Sequence, residues 1–241
     1  ASFSGGKDST VTADLAIKAL SNPSLVHIFG DTTLEFPATS EYAERYRAAH
    51  PEAIFQIARN DDQNFYEVCD DIGPPARMMR WCCSMFKTGP ITRIINSLYG
   101  SEQILTFYGI RKSESVSRSK YNRIEDSADA IKIKQQTVAS PIFFWKDIDI
   151  WLYILGENID FNEAYRRGYD RVGCWCCPNN TPRAQALSRI YMPEQSKAWR
   201  DFLLNFAKRI GKPDPETYVD TGKWKARQSG NGLISANDVK I

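Results

Sequence analysis

Histidine is nearly absent from this 241-residue sequence. His27 lies inside an apolar run and His50 at a helix end, so both read as structural and a His-based catalytic triad has no basis. Charge of one sign is lacking too. The 31 basic and 29 acidic residues leave a net charge of +2, and bulk charge alone marks no nucleic-acid-binding face. No apolar run approaches the length of a membrane span. No internal repeat, low-complexity tract or long charge block interrupts the chain, and the Walker A string G-x-x-x-x-G-K-[ST] is missing.

What remains is an ordinary globular composition, 42% hydrophobic and 25% charged. The length suits one elaborated domain or two small ones. Apolar spacing predicts a helix over 9–20, a buried strand over 25–29 ending at Gly30-Asp31, a helix over 37–50 and a short strand over 53–57. A helix follows within 81–98, then a strand over 103–110. Strands alternating with helices imply a doubly wound parallel sheet, an α/β fold with right-handed crossovers. From about residue 145 the pattern changes to helices joined by loops bearing cysteine and proline, the clearest over 147–155 and 194–210. The expected division is therefore 1–144, a nucleotide-binding α/β domain, and 145–241, a helical subdomain with an irregular basic tail from Tyr218. Ala1-Ser2-Phe3 is short for a buried strand of about five or six residues, so the first strand is expected to begin upstream.

Between that strand and the first helix stands Ser4-Gly5-Gly6-Lys7-Asp8-Ser9. Two glycines let the backbone turn tightly and approach a phosphate without a Cβ clash. The helix start beyond them offers unpaired amides and a partial positive charge. Lys7 adds a cation, and Ser4 and Ser9 add hydroxyls. A plain helix cap with a surface turn is the bland alternative, but it does not call for the whole string.

This string resembles the PP-loop of the adenine nucleotide α-hydrolase-like superfamily, which includes ATP pyrophosphatases and the sulfonucleotide (APS/PAPS) reductases. Three further segments are similar to the reductases: Asp31-Thr32-Thr33-Leu34-Glu35-Phe36-Pro37; Gly109-Ile110-Arg111-Lys112-Ser113-Glu114-Ser115 with Arg118; and Pro141 to Tyr153 with Trp145, Asp149 and Trp151. Singly, Asp31 could cap a helix, and Arg111 and Arg118 could be solvated charges. Jointly, the resemblance implies a site for an adenine nucleotide, ATP or PAPS/APS, formed by the loop with Asp31, Thr32, Gly109, Arg111 and Arg118. Arginine's planar fork suits phosphate and sulfate.

Five of the six cysteines fall in two groups, Cys82-Cys83 and Cys174-Trp175-Cys176-Cys177; Cys69 stands alone in a helical pattern and reads as core. Clustered cysteines in an enzyme-like chain point to metal and to the cytoplasm rather than to a secreted disulfide framework. A structural zinc site and simple buried thiols remain open on the residues alone. The context Arg80-Trp81-Cys82-Cys83 through Lys87 to Pro90, with Gly173 to Pro178, is similar to the CC…CxxC signature of 4Fe–4S sulfonucleotide reductases. That resemblance implies Cys82, Cys83, Cys174 and Cys177 as cluster ligands, with Cys176 a spare thiol. It also places Lys87 near cluster and nucleotide, where it would raise the local potential, and makes Lys7 and Lys87 the catalytic lysines.

The resemblance has a gap. These reductases carry a C-terminal ECGLH motif whose cysteine attacks the substrate sulfur, and here no cysteine follows Cys177. Sulfur transfer or sulfonucleotide reduction is the first expectation, with a thiol or ferredoxin-type electron donor as partner. One alternative is an ATP pyrophosphatase that adenylates a nucleic acid for sulfur insertion, as in DNA phosphorothioation or tRNA thiolation. There Asp31 would hold Mg²⁺, and Lys223, Lys225 and Arg227 would meet the nucleic acid. A non-catalytic nucleotide sensor is the other alternative. No membrane partner is expected; further copies of the chain are.

Overall fold

The structure is a computed structural model that describes residues 1–126, 133 and 135–226. Arg227 and the rest of the expected basic tail lie outside the described residues. The chain folds as two compact units: unit 1 comprises 1–59 with 86–173, and unit 2 comprises 60–85 with the segment from Cys174 onward.

Unit 1 is the α/β unit. Strands β1 (Ser2–Phe3), β2 (His27–Asp31) and β3 (Phe55–Arg59) form one parallel sheet in that order. A second sheet has the order β4 (Ile104–Phe107), β6 (Gln136–Ala139), β5 (Ile124–Glu125). Its β4–β6 pair is parallel, whereas β5 runs antiparallel to β6. The two-residue edge strand adds an antiparallel pair to the expected parallel arrangement, and an antiparallel pair needs no crossover helix.

Side chains alternate across β2 and sort the helices onto its two faces. Phe29 packs with Phe3, with Ala13 of α1 (Lys7–Leu20) and with Tyr42, Ala43 and Tyr46 of α2 (Pro37–Ala49). Its neighbour Ile28 packs instead with Ala58 and with Ile91 and Ile95 of α5 (Gly89–Tyr99). Helix α6 (Asp147–Gly156) lays Ile150 and Ile154 on Val11 of α1 and on Ile142. His27 is fully buried, its Nδ1 2.7 Å from the Leu25 carbonyl and its Nε2 3.2 Å from the Tyr46 hydroxyl. Burial lowers its pKa to about 4, so it is a neutral core residue.

Unit 2 is helical. It holds α3 (Phe65–Ile72), α4 (Trp81–Cys83), α7 (Pro182–Tyr191), α8 (Pro193–Arg209) and α9 (Pro215–Asp220). Trp199 of α8 is its hub: Phe202 stacks at 5.4 Å, and Phe65, Trp224 and Trp175 pack at 5.7, 5.8 and 6.4 Å. The irregular tail expected from Tyr218 is corrected here. Tyr218 lies inside α9, whose start is capped by Asp214 accepting from the Thr217 amide at 3.0 Å, and a 3-10 turn follows over Lys223–Ala226. Six-residue helices are too short to show apolar periodicity. Among the described residues no helix is long and apolar enough to cross a membrane.

Candidate functional site

The glycine loop of unit 1 opens α1 as expected. Gly5 has φ +67°, and a Cβ there would lie 2.8 Å from Thr39 Cγ2, so only glycine turns the chain at this point. Gly6 is the N-cap residue and, having no side chain, offers the helix start no cap of its own. From behind, the buried Asn162 donates to the Gly5 carbonyl at 3.0 Å and to Thr39 Oγ1 at 2.9 Å. Ser9 braces the loop by accepting from the Ser4 amide at 3.2 Å and donating to the Gly6 carbonyl at 2.8 Å. Ser4 Oγ lies 3.1 Å from Ser9 Oγ.

Lysine and arginine converge beside this turn. Lys7, 4% exposed, places Nζ 3.0 Å from Asp147 Oδ1 and 3.3 Å from Asp8 Oδ2. Arg111, 5% exposed, reaches Asp8 Oδ1 at 2.5 Å through Nε and Asp147 Oδ1 at 3.0 Å through a terminal nitrogen. Two buried cations are thus balanced by two carboxylates, the condition for keeping such charges out of water. Partial burial works against ionisation of Asp147, but Lys7 and Arg111 outweigh it and hold its pKa below the usual carboxylate range.

Gly109 has a packing reason of its own. A Cβ at this residue would stand 2.7 Å from the Asp8 carbonyl carbon and 2.8 Å from the Ser9 amide nitrogen, so the chain leaving β4 passes directly against the first turn of α1. Arg118 is held by the Glu114 carboxylate, which also accepts from the Arg111 amide at 3.0 Å. At the carboxyl end of β2, Asp31 accepts from the Thr33 amide at 2.8 Å and lies 3.7 Å from an Arg59 guanidinium nitrogen. Thr32 donates through its amide and hydroxyl to Glu35 at 3.0 and 2.9 Å. Lys87 runs beside this strand end, since a Cβ on Gly30 would lie 3.4 Å from its Cγ.

Four residues that the sequence did not single out belong to this region. Tyr165 accepts from the Lys7 amide at 3.0 Å, and the Lys7 ammonium lies 5.4 Å from its ring centroid. Asn162 is the second. Both are far from the loop in sequence, and no local signal announces them. Asp147 is the third: the sequence pointed to Asp149, but Asp149 accepts from the Lys146 amide at 2.7 Å as a helix cap, while Asp147 meets the cations. Glu35 is the fourth. Burial and the nearby Asp31 charge raise its pKa, with Thr32 and Lys87 opposing.

All six cysteines lie in unit 2, and all are thiols. Cys82 is hydrogen-bonded to Cys83; that bond, burial and the neighbouring Cys83, Cys174 and Cys176 push its pKa well up. Cys176 is buried, and burial followed by Cys174, Cys69 and Cys177 raises its pKa. The paired and spaced cysteines therefore share one electrostatic neighbourhood, as does Cys69, buried on α3. Within the C-x-x-C turn the Cys177 amide donates to the Cys174 carbonyl at 3.2 Å. Asn180 clamps the turn by donating to the carbonyls of Cys174 at 3.1 Å and Trp175 at 2.9 Å. Among the described residues no group of three or more His, Cys, Asp and Glu side chains is arranged around a single metal ion. The donor set is nonetheless all sulfur, the chemistry that suits an iron–sulfur cluster.

Comparison with known proteins follows the same line. The phosphoadenosine phosphosulfate reductase domain family matches residues 1–180. An uncharacterised protein of Methanocaldococcus jannaschii is 34% identical over 92% of this chain and 44% of its own length. A second from that organism is 30% identical, with 51% of its length covered. This chain thus spans about half the length of those two relatives. An adenosine 5′-phosphosulfate reductase of Oceanobacillus iheyensis is 30% identical over 71% of this chain and 68% of its own. In fold, the chain is similar to the phosphoadenylyl-sulfate reductase of Candida auris, with TM-score 0.55, 19% identity and coverage of 73% of this chain and 80% of that one. It is also similar to the FMN adenylyltransferase of Candida glabrata, with TM-score 0.53, 16% identity and coverage of 72% and 53%. The chain belongs to the phosphoadenosine phosphosulfate reductase domain family.

Proposed function

We propose that this chain binds an adenine sulfonucleotide, APS or PAPS, and takes part in its reduction, with a 4Fe–4S cluster held by Cys82, Cys83, Cys174 and Cys177. The observation that carries the reading is the loop Ser4–Ser9: a helix start whose N-cap is a glycine, beside two buried cations. Amides there suit an anion, and Lys7 and Arg111 can exchange Asp147, whose side chain is 60% exposed, for a phosphate or sulfate oxygen. Asp31, Thr32 and Lys87 at the end of β2, with Arg118, complete the proposed nucleotide contacts.

Reduction of the sulfonucleotide breaks the bond between sulfur and the bridging oxygen. That bond's electron pair leaves with the adenylate, and two electrons from an external thiol or a ferredoxin-type donor convert the sulfur to sulfite. A bound cluster would supply an anionic redox centre held by thiolates, which fits a reducing compartment such as the cytoplasm. The nucleic-acid alternative loses one support, because Lys225 is buried.

Two assays test this. Protein supplied with APS or PAPS and a dithiol donor should release sulfite, and ATP should yield no pyrophosphate; pyrophosphate without sulfite would overturn the reduction. For the thiols, anaerobic purification should give a brown protein with iron and labile sulfide, bleached in Cys83→Ser but not in Cys69→Ser. A colourless protein holding one zinc would contradict the cluster.

A further inference from the structure

Lys225 is a lysine buried without a carboxylate. In sequence it belongs with Lys223 to a basic stretch, yet Lys223 is exposed while Lys225 is 6% exposed. Its Nζ donates to the Asn180 backbone carbonyl at 3.2 Å and lies 5.8 Å from the centroid of the Trp224 ring. Among the described residues no Asp or Glu pairs with it. Lysine is seldom buried this far unless an anion balances it. Burial first, then the charge of Arg77, lowers its pKa, and the influence in the other direction comes from Cys177. The geometry brings this ammonium to the main chain three residues beyond Cys177, at the base of the C-x-x-C turn.

Backbone contacts tie the two elements together. Lys225 holds the carbonyl of Asn180, and the Asn180 side chain holds the carbonyls of Cys174 and Trp175. The Asn180 amide donates to the Cys177 carbonyl at 3.0 Å, and on the far side the Arg77 amide donates to the Lys225 carbonyl at 2.8 Å. Lys225 is thus anchored through its carbonyl as well as through its ammonium.

We propose that Lys225 is the fixed counter-charge of the thiol set, a positioning residue that holds the C-x-x-C turn through Asn180 and stabilises the sulfurs in their more anionic state. This rests on the reading of those thiols as cluster ligands. Metal–sulfur centres respond to local charge and hydrogen bonding, and a buried cation is screened little by salt. It favours the reduced, more negative form.

The experiment is a reductive titration of the anaerobically reconstituted full chain, followed by its visible absorbance, with iron per chain and the melting temperature measured on the same samples. Lys225→Gln keeps a hydrogen-bond donor and loses the charge. It should shift the reduction equilibrium at least tenfold toward the oxidised form, 59 mV for one electron. Lys225→Arg should restore most of that shift, and Lys223→Gln, with the same change in net charge, should show none. If Lys225→Gln fails to retain iron while Lys225→Arg retains it, the charge is again what matters and the proposal stands. An unchanged potential in Lys225→Gln with full iron, whatever its melting temperature, would reduce Lys225 to a packing residue and overturn the proposal. Wild-type protein that takes up no iron would remove the cluster reading itself and the counter-charge with it.

Discussion

The two compact units prepare their chemistry in opposite ways. Unit 1 uses backbone: a left-handed glycine, a second glycine crossing the first helical turn, and a helix start whose N-cap is a glycine. Its charged side chains serve that backbone and arrive already paired, two cations with two carboxylates. Unit 2 uses side chains: a set of thiols, a tryptophan hub and a lysine whose charge no carboxylate balances among the described residues. On the proposed reading an anion arriving in unit 1 would exchange one partner for another, whereas the sulfur set in unit 2 would change its charge in place. The first arrangement suits ligand binding; the second would suit electron storage once the thiols hold the proposed cluster.

The largest break in this comparison should come from unit 1's charge network. Arg111→Met strands Asp8 beside Lys7 alone and should cost about 4 kcal/mol of unfolding free energy, read from urea denaturation, with loss of adenine nucleotide binding. An Arg111 that could be removed at no cost would show the four charges to be independent surface groups.

Acid should act next, and on unit 1 in particular, because the buried His27 lies there. His27 has a folded pKa of about 4 against about 6.5 unfolded, so the unfolded chain binds the extra proton between those values. Its contribution is complete above about pH 6.5 and is lost as pH falls toward 4, on the order of 3 kcal/mol in all. His27→Gln should flatten that part of the stability–pH curve; an identical slope in the variant would contradict the assignment.

Gly109→Ala should follow at about 2 kcal/mol, since its Cβ meets backbone atoms that cannot rotate away. Gly156, with no neighbour within 4 Å of an added Cβ, is the control, and Gly156→Ala should be within a few tenths of a kcal/mol of wild type. Smaller than the Gly109 effect, Thr181→Ala removes the cap that accepts from the Ala184 amide at 3.1 Å and should cost about 1 kcal/mol. Faster amide exchange confined to α7 in unit 2 would report it.

Local features were legible in the sequence. The glycine loop, the strand expected over 25–29 and found at His27–Asp31, and the helices expected over 37–50 and 194–210 each announce themselves through glycine, proline and apolar spacing. The antiparallel edge strand and the six-residue α9 did not, because pairing direction and single helical turns leave no periodic trace. At the site, Lys7 and Arg111 were visible as motif residues, but Asp147, Tyr165 and Asn162 join them only through the fold. The contrast between Asp147 and Asp149 is instructive: two residues apart at one helix start, one meets cations and the other caps the helix. Lys225 shows the converse, a residue that reads as a solvated charge until the turn after α9 buries it.

The central claim is that the loop at the head of α1 holds the anionic end of an adenylate. Calorimetric titration of APS and of adenosine into wild-type protein and Lys7→Ala tests it most directly. Wild type should bind APS well and adenosine at least tenfold more weakly, and Lys7→Ala should erase most of that difference. Equal affinity for APS in the two proteins would contradict the account.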